Sequence, residues 1–186
     1  MSRFYANITL KGPAPSEVAD YLRGQHESAY VSPAVKNAVV AFHEDMQNQE
    51  TLAANLSAHF SCPALLVMAY AEIVLLYHLY EKGQQTDAYV SSPHGDLELG
   101  APAPPGSAAI LCAAFEAERF ERRVESILRK EGKPDQPFAN AINRHGELFQ
   151  AMGLPVFAAG ASFQSIEIGE MPAGRGFDAA EMVRTK

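Results

Sequence analysis

The sequence predicts an α+β protein built on an antiparallel sheet, and two observations carry that prediction. Residues 62–92 (CPALLVMAYAEIVLLYHLYEKGQQTDAYVSS) are rich in Val, Ile, Leu and Tyr, which favour pleated and packed strands. Within them, Glu81-Lys82-Gly83-Gln84 predicts a tight hairpin, because glycine adopts a positive φ at little cost. We therefore expect three consecutive antiparallel strands here. The second observation is the order of the elements that precede them.

The first predicted strand spans residues 4–11, where alternation puts four apolar side chains on one face: Phe4, Ala6, Ile8 and Leu10. The sequence Gly12-Pro13-Ala14-Pro15 ends it, since proline cannot donate to a ladder. Ser16 is a suitable N-cap for a helix over residues 17–23, with Gly24 just past its end.

Residues 29–32 and 35–43 are predicted to form two further strands, and an amphipathic helix follows up to Phe60. Leu52 and Leu56 recur with Phe60 at intervals of four, which indicates one buried stripe. Pro63 ends that helix. The order is then β-α-β-β-α-β, extended by a hairpin, which is the order of a ferredoxin-like sheet covered by two helices on one face.

The chain divides by composition into four parts. Residues 1–92 form the predicted sheet domain, and residues 93–106 are a linker rich in Pro and Gly. Residues 107–168 are a helical region that packs on the sheet, with helices over 107–115, 116–131 and 137–152 and a final strand over 156–168. Residues 169–186 are predicted to be a flexible tail.

Composition and charge exclude several classes of function. The chain has 186 residues, a net charge of -7 and a pI near 5.3, which argues against nucleic-acid binding. No apolar run approaches the roughly 20 residues of a membrane span, and the N-terminus lacks a secretory signal. Two cysteines give neither a disulfide framework nor metal spacing, so we expect a soluble cytoplasmic protein without cofactor or metal.

Three residues are weak candidates for chemistry: His59, Cys62 and His78. A thiol three residues after an imidazole is activated if the fold brings the two together, although a small cysteine packed at a turn is far commoner. His78 lies in the middle of a predicted strand. For His59, and for His145 in the third C-terminal helix, partial burial with a hydrogen bond is the more common explanation.

The tyrosines of the predicted meander pose a separate question. Tyr70, Tyr77, Tyr80 and Tyr89 place some aromatic rings on the sheet face away from the first two helices. That face is either a recognition surface or is covered by the C-terminal helices. We favour the covered arrangement, because the apolar stripes of those helices need a surface on which to be buried.

Several segments taken together resemble a group of uncharacterised bacterial proteins. They are YANITLKGP (residues 5–13), LSAHFSCPAL (56–65), YHLYEKGQQTDAYVSSP (77–93) and HGELFQAMGLPVFAAG (145–160). The group shares the motifs YANxTLKGP, SAHxxCPAL and YxLYExGxxxDxYxSxP. The resemblance implies one architectural unit and assigns no activity and no catalytic residue to any position.

Two functions therefore remain open at this point. The first is a non-catalytic module that binds a protein partner or forms a homodimer. The second is a small enzyme with an acid–base or thiol site near His59, Cys62 and His78. Because catalytic groups converge only in three dimensions, the lack of a motif counts weakly against the enzyme.

Overall fold

The structure is a computed structural model that describes residues 4–70, 73–91, 103–130, 140–170 and 179–186. Its strands are β1 (Tyr5–Lys11), β2 (Ala29–Val31), β3 (Ala38–His43), β4 (Ala64–Tyr70), β5 (Val74–Glu81), β6 (Gln84–Val90) and β7 (Val183–Arg184). Its α-helices are α1 (Pro15–Gly24), α2 (Gln49–Phe60), α3 (Ala108–Ala114), α4 (Glu121–Leu128), α5 (Ala141–Met152) and α6 (Phe163–Glu167). Short 3-10 turns lie at Glu118–Phe120, Val156–Ala158 and Ala179–Glu181.

The seven strands form one antiparallel sheet in the order β6-β5-β4-β1-β3-β2-β7. The predicted meander is confirmed as β4, β5 and β6. Its last hairpin turns at Lys82 and Gly83, which both have positive φ, at 51° and 79°. Two successive positive φ values match the right-handed twist of the flanking strands, which is why this short turn needs a glycine.

The α+β class is confirmed, but the simple ferredoxin-like order is not. Beyond β4 the sheet continues through β5 and β6, and beyond β2 it continues through β7. Among the described residues the sheet therefore has seven strands, and β1 lies at its centre between β3 and β4.

One face of the sheet is covered by α1 and α2. Ala6, Ile8 and Leu10 of β1 are fully buried there, as alternation predicts. Phe4 begins the same row but is 36% exposed, because it lies before the paired part of the strand. The helices contribute Val18, Leu22, Leu52 and Leu56 to this core.

The opposite face is covered by the C-terminal helices, which confirms the covered arrangement. Tyr77 and Tyr89 lie in this second core, with ring centroids 5.4 Å apart. The helices bury Leu111, Val124 and Phe149 against them. Sheet and helices share one apolar cluster here, so the molecule has three layers with the sheet in the middle.

One prediction about the C-terminal part is wrong, and part of the predicted flexible tail, residues 171–178, lies outside the described residues. The predicted strand at residues 156–168 is a 3-10 turn, a loop of small residues and the short helix α6. The last strand is instead β7, within the predicted tail, where Val183 and Arg184 pair with Val31 and Tyr30. Alternation alone misassigned the first segment because its alanines and glycine fit a loop as well as a strand.

Smaller differences concern the ends of elements. Helix α1 begins before Ser16, and the Glu17 carboxylate accepts a hydrogen bond of 2.7 Å from the backbone N–H of Ala14. Gly24 lies inside the helix, and His26 takes the positive φ that ends it. Most of the predicted linker lies outside the described residues, but Val90 N–H donates to the Pro104 carbonyl. Across the described part of the chain, no helix is long and apolar enough to cross a membrane.

Candidate functional site at the end of the central strand

The most unusual feature of the molecule is a row of polar side chains at its centre. The face of β1 opposite Ile8 carries Tyr5, Asn7, Thr9 and Lys11, and it faces the C-terminal helices. Asn7 and Thr9 are fully buried. A central strand covered on both faces usually carries apolar residues on both, so this row calls for a physical explanation.

At one end of the row, Tyr5 meets His145 of α5. The Tyr5 hydroxyl lies 3.0 Å from His145 Nδ1, and the two rings are stacked. His145 is fully buried and its ring also packs edge-on against Phe149. The expectation that His145 is a buried, hydrogen-bonded histidine is therefore confirmed, and the pair fixes α5 on the sheet.

At the other end of the row, Lys11 enters a surface groove. Its Nζ donates to the Phe115 carbonyl at 2.9 Å and forms an ion pair of 2.8 Å with the Glu116 carboxylate. The groove has a volume of about 450 Å³. It is lined by Lys11, Gly12, Pro13, Glu17, Asn37, Phe60, Ser61, Cys62, Pro63, Ala114 and Glu116. Both helical layers and the end of the sheet thus contribute to one concavity.

The local backbone explains why so many elements end here. Four lining residues have positive φ: Gly12 at 117°, Asn37 at 65°, Ser61 at 49° and Glu116 at 53°. Ser61 follows the last residue of α2, and Glu116 follows α3 by one further residue, where a left-handed residue commonly ends a helix. The C-terminal ends of α2 and α3 therefore lie at the groove, and the carbonyl end of a helix carries partial negative charge.

Cys62 lies in the wall of this groove and is 9% exposed. Burial raises the pKa of its thiol to about 11, against a smaller opposing effect of the Lys11 backbone N–H. At neutral pH the sulfur is therefore a protonated thiol rather than a nucleophilic thiolate. In this state Cys62 contributes a small apolar surface to the groove.

His59 does not join Cys62. Its ring packs against Tyr21 and Phe60, with centroid distances of 4.3 and 4.7 Å, and its side chain is exposed. The expectation of partial burial is wrong for this residue, because it lies on the outer side of the last turn of α2. Within the described ranges, no hydrogen bond or ion pair connects His59 with Cys62.

His78 lies elsewhere, on β5 facing α2. Its Nδ1 is 3.3 Å from a carboxylate oxygen of Glu50, close enough for an ion pair but not aligned as a hydrogen bond. Tyr80 packs edge-on against the imidazole, and its pKa is raised to about 12, mainly by burial and further by the charge of Glu50. The structure therefore distributes the three candidate residues over three different surroundings.

Sequence reasoning missed the other groove residues and a second buried polar cluster. The guanidinium of Arg144, which is 6% exposed, donates to the Tyr89 hydroxyl and to the carbonyls of Leu128 and Lys130. These carbonyls belong to the end of α4, where a positive charge is favourable. Arg144 thus joins α4, α5 and β6, and its role is structural.

Over the part of the chain that the structure describes, no group of three or more His, Cys, Asp or Glu side chains could hold a metal ion. No protein-family model, curated protein or solved structure matches the chain. The resemblance to the bacterial group stays a prediction. Cys62 was a candidate only because it carries a thiol. No sequence signal indicated Lys11, Glu17 or Glu116, which the fold brings to the same groove.

Proposed function

We propose that this chain is a non-catalytic binding module whose ligand site is the groove at the Lys11 end of β1. The observation that supports this most is the concavity itself, which three layers of the molecule build together. Its volume of about 450 Å³ lies in the range of sites for small ligands or for one or two side chains of a protein.

The charges of the groove favour a ligand that carries a positive charge. Lys11 is neutralised by Glu116 and also donates to a carbonyl, so it has little capacity left for an anion. The Glu17 carboxylate and the carbonyl ends of α2 and α3 add negative potential. Phe60, Cys62 and Pro63 supply apolar wall. We infer an ammonium or guanidinium group, either of a small amine or of a Lys or Arg side chain on a protein partner.

An NMR titration tests this proposal. ¹⁵N-labelled protein is titrated separately with agmatine and with glutarate, which is comparable in size and opposite in charge. Agmatine should shift the amide signals of Gly12, Ser61 and Cys62, and glutarate should not. A Glu116→Gln variant should bind agmatine about tenfold more weakly, which corresponds to about 1.4 kcal/mol.

The matched control is Glu118→Gln, an exposed acidic residue of the neighbouring 3-10 turn that does not line the groove. Equal shifts with both probes would contradict the inferred charge of the ligand. Shifts confined to another surface would contradict the site. An equal loss of agmatine affinity in Glu116→Gln and Glu118→Gln would mean that the binding depends only on the overall charge of the protein.

The alternative is a small enzyme that uses His59, Cys62 or His78. Among the described residues, the arrangement of these candidates that favours it is the imidazole–carboxylate pair of His78 and Glu50. The protonated thiol of Cys62 and the outward position of His59 weigh against it. If His59→Ala and His78→Ala proteins fold and bind a small-molecule library as the parent does, the alternative loses most of its support.

We also infer that part of the sheet is a ferredoxin-like unit enlarged by later strands. The strands β4, β1, β3 and β2 are neighbours in that order, and α1 and α2 cover one of their faces. In this interpretation β5, β6 and β7 are additions at the two edges. A crystal structure in which these four strands are not adjacent in this order would contradict it.

A further inference from the structure

A second site lies inside the molecule, between β1 and the loop at residues 158–161. Asn7 and Thr9 are both fully buried and lie two positions apart on the same face of β1. The loop that accepts hydrogen bonds from Asn7 contains only alanine and glycine (AAGA). Short side chains on one side and polar side chains on the other leave this contact without the interlocking apolar groups of a normal core.

The amide of Asn7 has a fixed orientation. Its Nδ2 donates to the carbonyl oxygens of Ala158 at 2.9 Å and Ala161 at 3.2 Å. Turning the amide over would place its oxygen against two other oxygens, so this orientation is the stable one. The remaining oxygen, Oδ1, is buried and has no hydrogen-bond donor among the described residues.

The hydroxyl of Thr9 is in the same situation. Its Oγ1 is buried, and no hydrogen-bond partner lies among the residues that the structure describes. The residues opposite Thr9 on the neighbouring strands are Val40 and Leu65, which offer no polar side chain. Each buried polar atom left without a partner costs about 1–3 kcal/mol.

We propose that an ordered internal water molecule bridges Asn7 Oδ1 and Thr9 Oγ1. Backbone positions two apart on a strand are about 6–7 Å apart, so side-chain oxygens that lean toward each other come within the roughly 5 Å that one water spans with a hydrogen bond at each end. The water donates to Asn7 Oδ1 and exchanges a second hydrogen bond with the Thr9 hydroxyl. Through Asn7 it helps to hold the 158–161 loop on the central strand. This inference does not depend on the proposed ligand of the groove.

The substitution Thr9→Val tests the proposal because it keeps the shape and removes the hydroxyl. If the water is present, the variant removes one of its partners and the water leaves the site, so Asn7 Oδ1 is left without a donor. The melting temperature should then fall by about 2–4 °C, as expected for a loss of about 1 kcal/mol. If the site is dry, the variant removes an unsatisfied hydroxyl and should be as stable as the parent or more stable. The sign of the change therefore separates the two cases.

A measurement on the parent protein complements this variant. The Asn7 side-chain amide protons should show a nuclear Overhauser effect to a water molecule of long residence time. The effect should persist in Thr9→Ser and be lost in Thr9→Val. Thr86→Val, at an exposed position of β6, is the control and should change neither signal nor melting temperature. A parent protein without the water signal, or a Thr9→Val protein that retains it, would overturn the proposal.

Discussion

The two faces of β1 are both buried, but by different kinds of contact. Toward α1 and α2, the strand presents Ala6, Ile8 and Leu10, which make an apolar core. Toward the C-terminal helices it presents polar side chains, which are held by individual hydrogen bonds to His145 and to loop carbonyls. Apolar contacts are non-directional, whereas these bonds require particular partners at particular distances.

The comparison indicates that the apolar face mainly stabilises the fold, whereas the polar face mainly determines where the neighbouring elements lie. The apolar face supplies stabilisation in proportion to the area that it buries. The polar face supplies less net stabilisation for each contact, but it fixes where α5 and the 158–161 loop lie on the sheet. We expect substitutions on the two faces to differ in size and in character.

The largest effect is expected on the apolar face. Ile8→Ala removes buried methyl and methylene groups and leaves a cavity among Val18, Leu52 and their neighbours. The free energy of unfolding should fall by about 2–5 kcal/mol. Urea unfolding followed by circular dichroism measures it. A loss below about 1 kcal/mol would show that the helices can close the cavity, and the contrast between the faces would then disappear.

A smaller loss is expected for Arg144→Met on the other side of the sheet. The substitution leaves the Leu128 and Lys130 carbonyls without this donor, but it also removes a buried charge that has no acidic partner among the described residues. These effects partly offset each other, so the free energy of unfolding should fall by about 1–3 kcal/mol. Arg122→Met, at an exposed position of α4, should change it by less than about 0.5 kcal/mol. Equal values for both variants would contradict the assigned role.

The stability of the protein at alkaline pH allows the two cores to be compared, because each contains one buried thiol. Burial raises the pKa of Cys62 and of Cys112 from 9.0 to about 11. The unfolded chain therefore loses these protons at lower pH than the folded protein does. The contribution of each protonated thiol to the free energy of unfolding is fully present below about pH 9. It is lost as the pH rises through about 11, by an amount on the order of 1–2 kcal/mol for each thiol.

Unfolding at pH 8 and at pH 10.5 measures this loss for the parent, Cys62→Ala and Cys112→Ala. Each variant should show a smaller decrease between the two pH values than the parent shows. The difference between pH values is the relevant quantity, since both variants also leave a small cavity. An identical decrease in all three proteins would assign the alkaline transition to other groups.

The smallest effect is expected for Tyr5→Phe. The variant keeps the ring stacked on His145 but removes the hydroxyl that lies 3.0 Å from its Nδ1. The free energy of unfolding should fall by about 0.5–1.5 kcal/mol. Tyr70→Phe is the control, because Tyr70 is 46% exposed and lies at the end of its strand. If both variants behave alike, the buried hydroxyl contributes no more than an exposed one does.

The sequence predicted β1 and the meander well because their signals are local. Alternation identified the apolar face of β1, and the glycine at position 83 located the last hairpin. By the same alternation Asn7 and Thr9 fall on the opposite face, which the C-terminal helices are predicted to cover. Which groups of the C-terminal half contact Asn7 and Thr9 depends on the three-dimensional fold, and no local pattern contains that information.

The candidate site was predicted only in part for a related reason. Cys62 was identified by its chemistry, and the fold then surrounded it with groups from β1, α1 and α3 that lie far from it in sequence. The final strand was misplaced because the 158–161 loop is fixed by the amide of Asn7 from a distance. Hydrogen bonds between residues distant in sequence determine the conformation of such segments. Sequence periodicity does not reveal these bonds.

The central position of β1 has a consequence for the order in which the molecule folds. The meander β4-β5-β6 consists of neighbours in sequence and can form from local contacts. By contrast, Ile8 pairs with Ala41 on one side and with Leu66 on the other, so β1 must close two long loops. Until it inserts, β3 and β4 both present an open apolar edge, and other chains can add to such an edge. The insertion of β1 thus also protects the protein from aggregation.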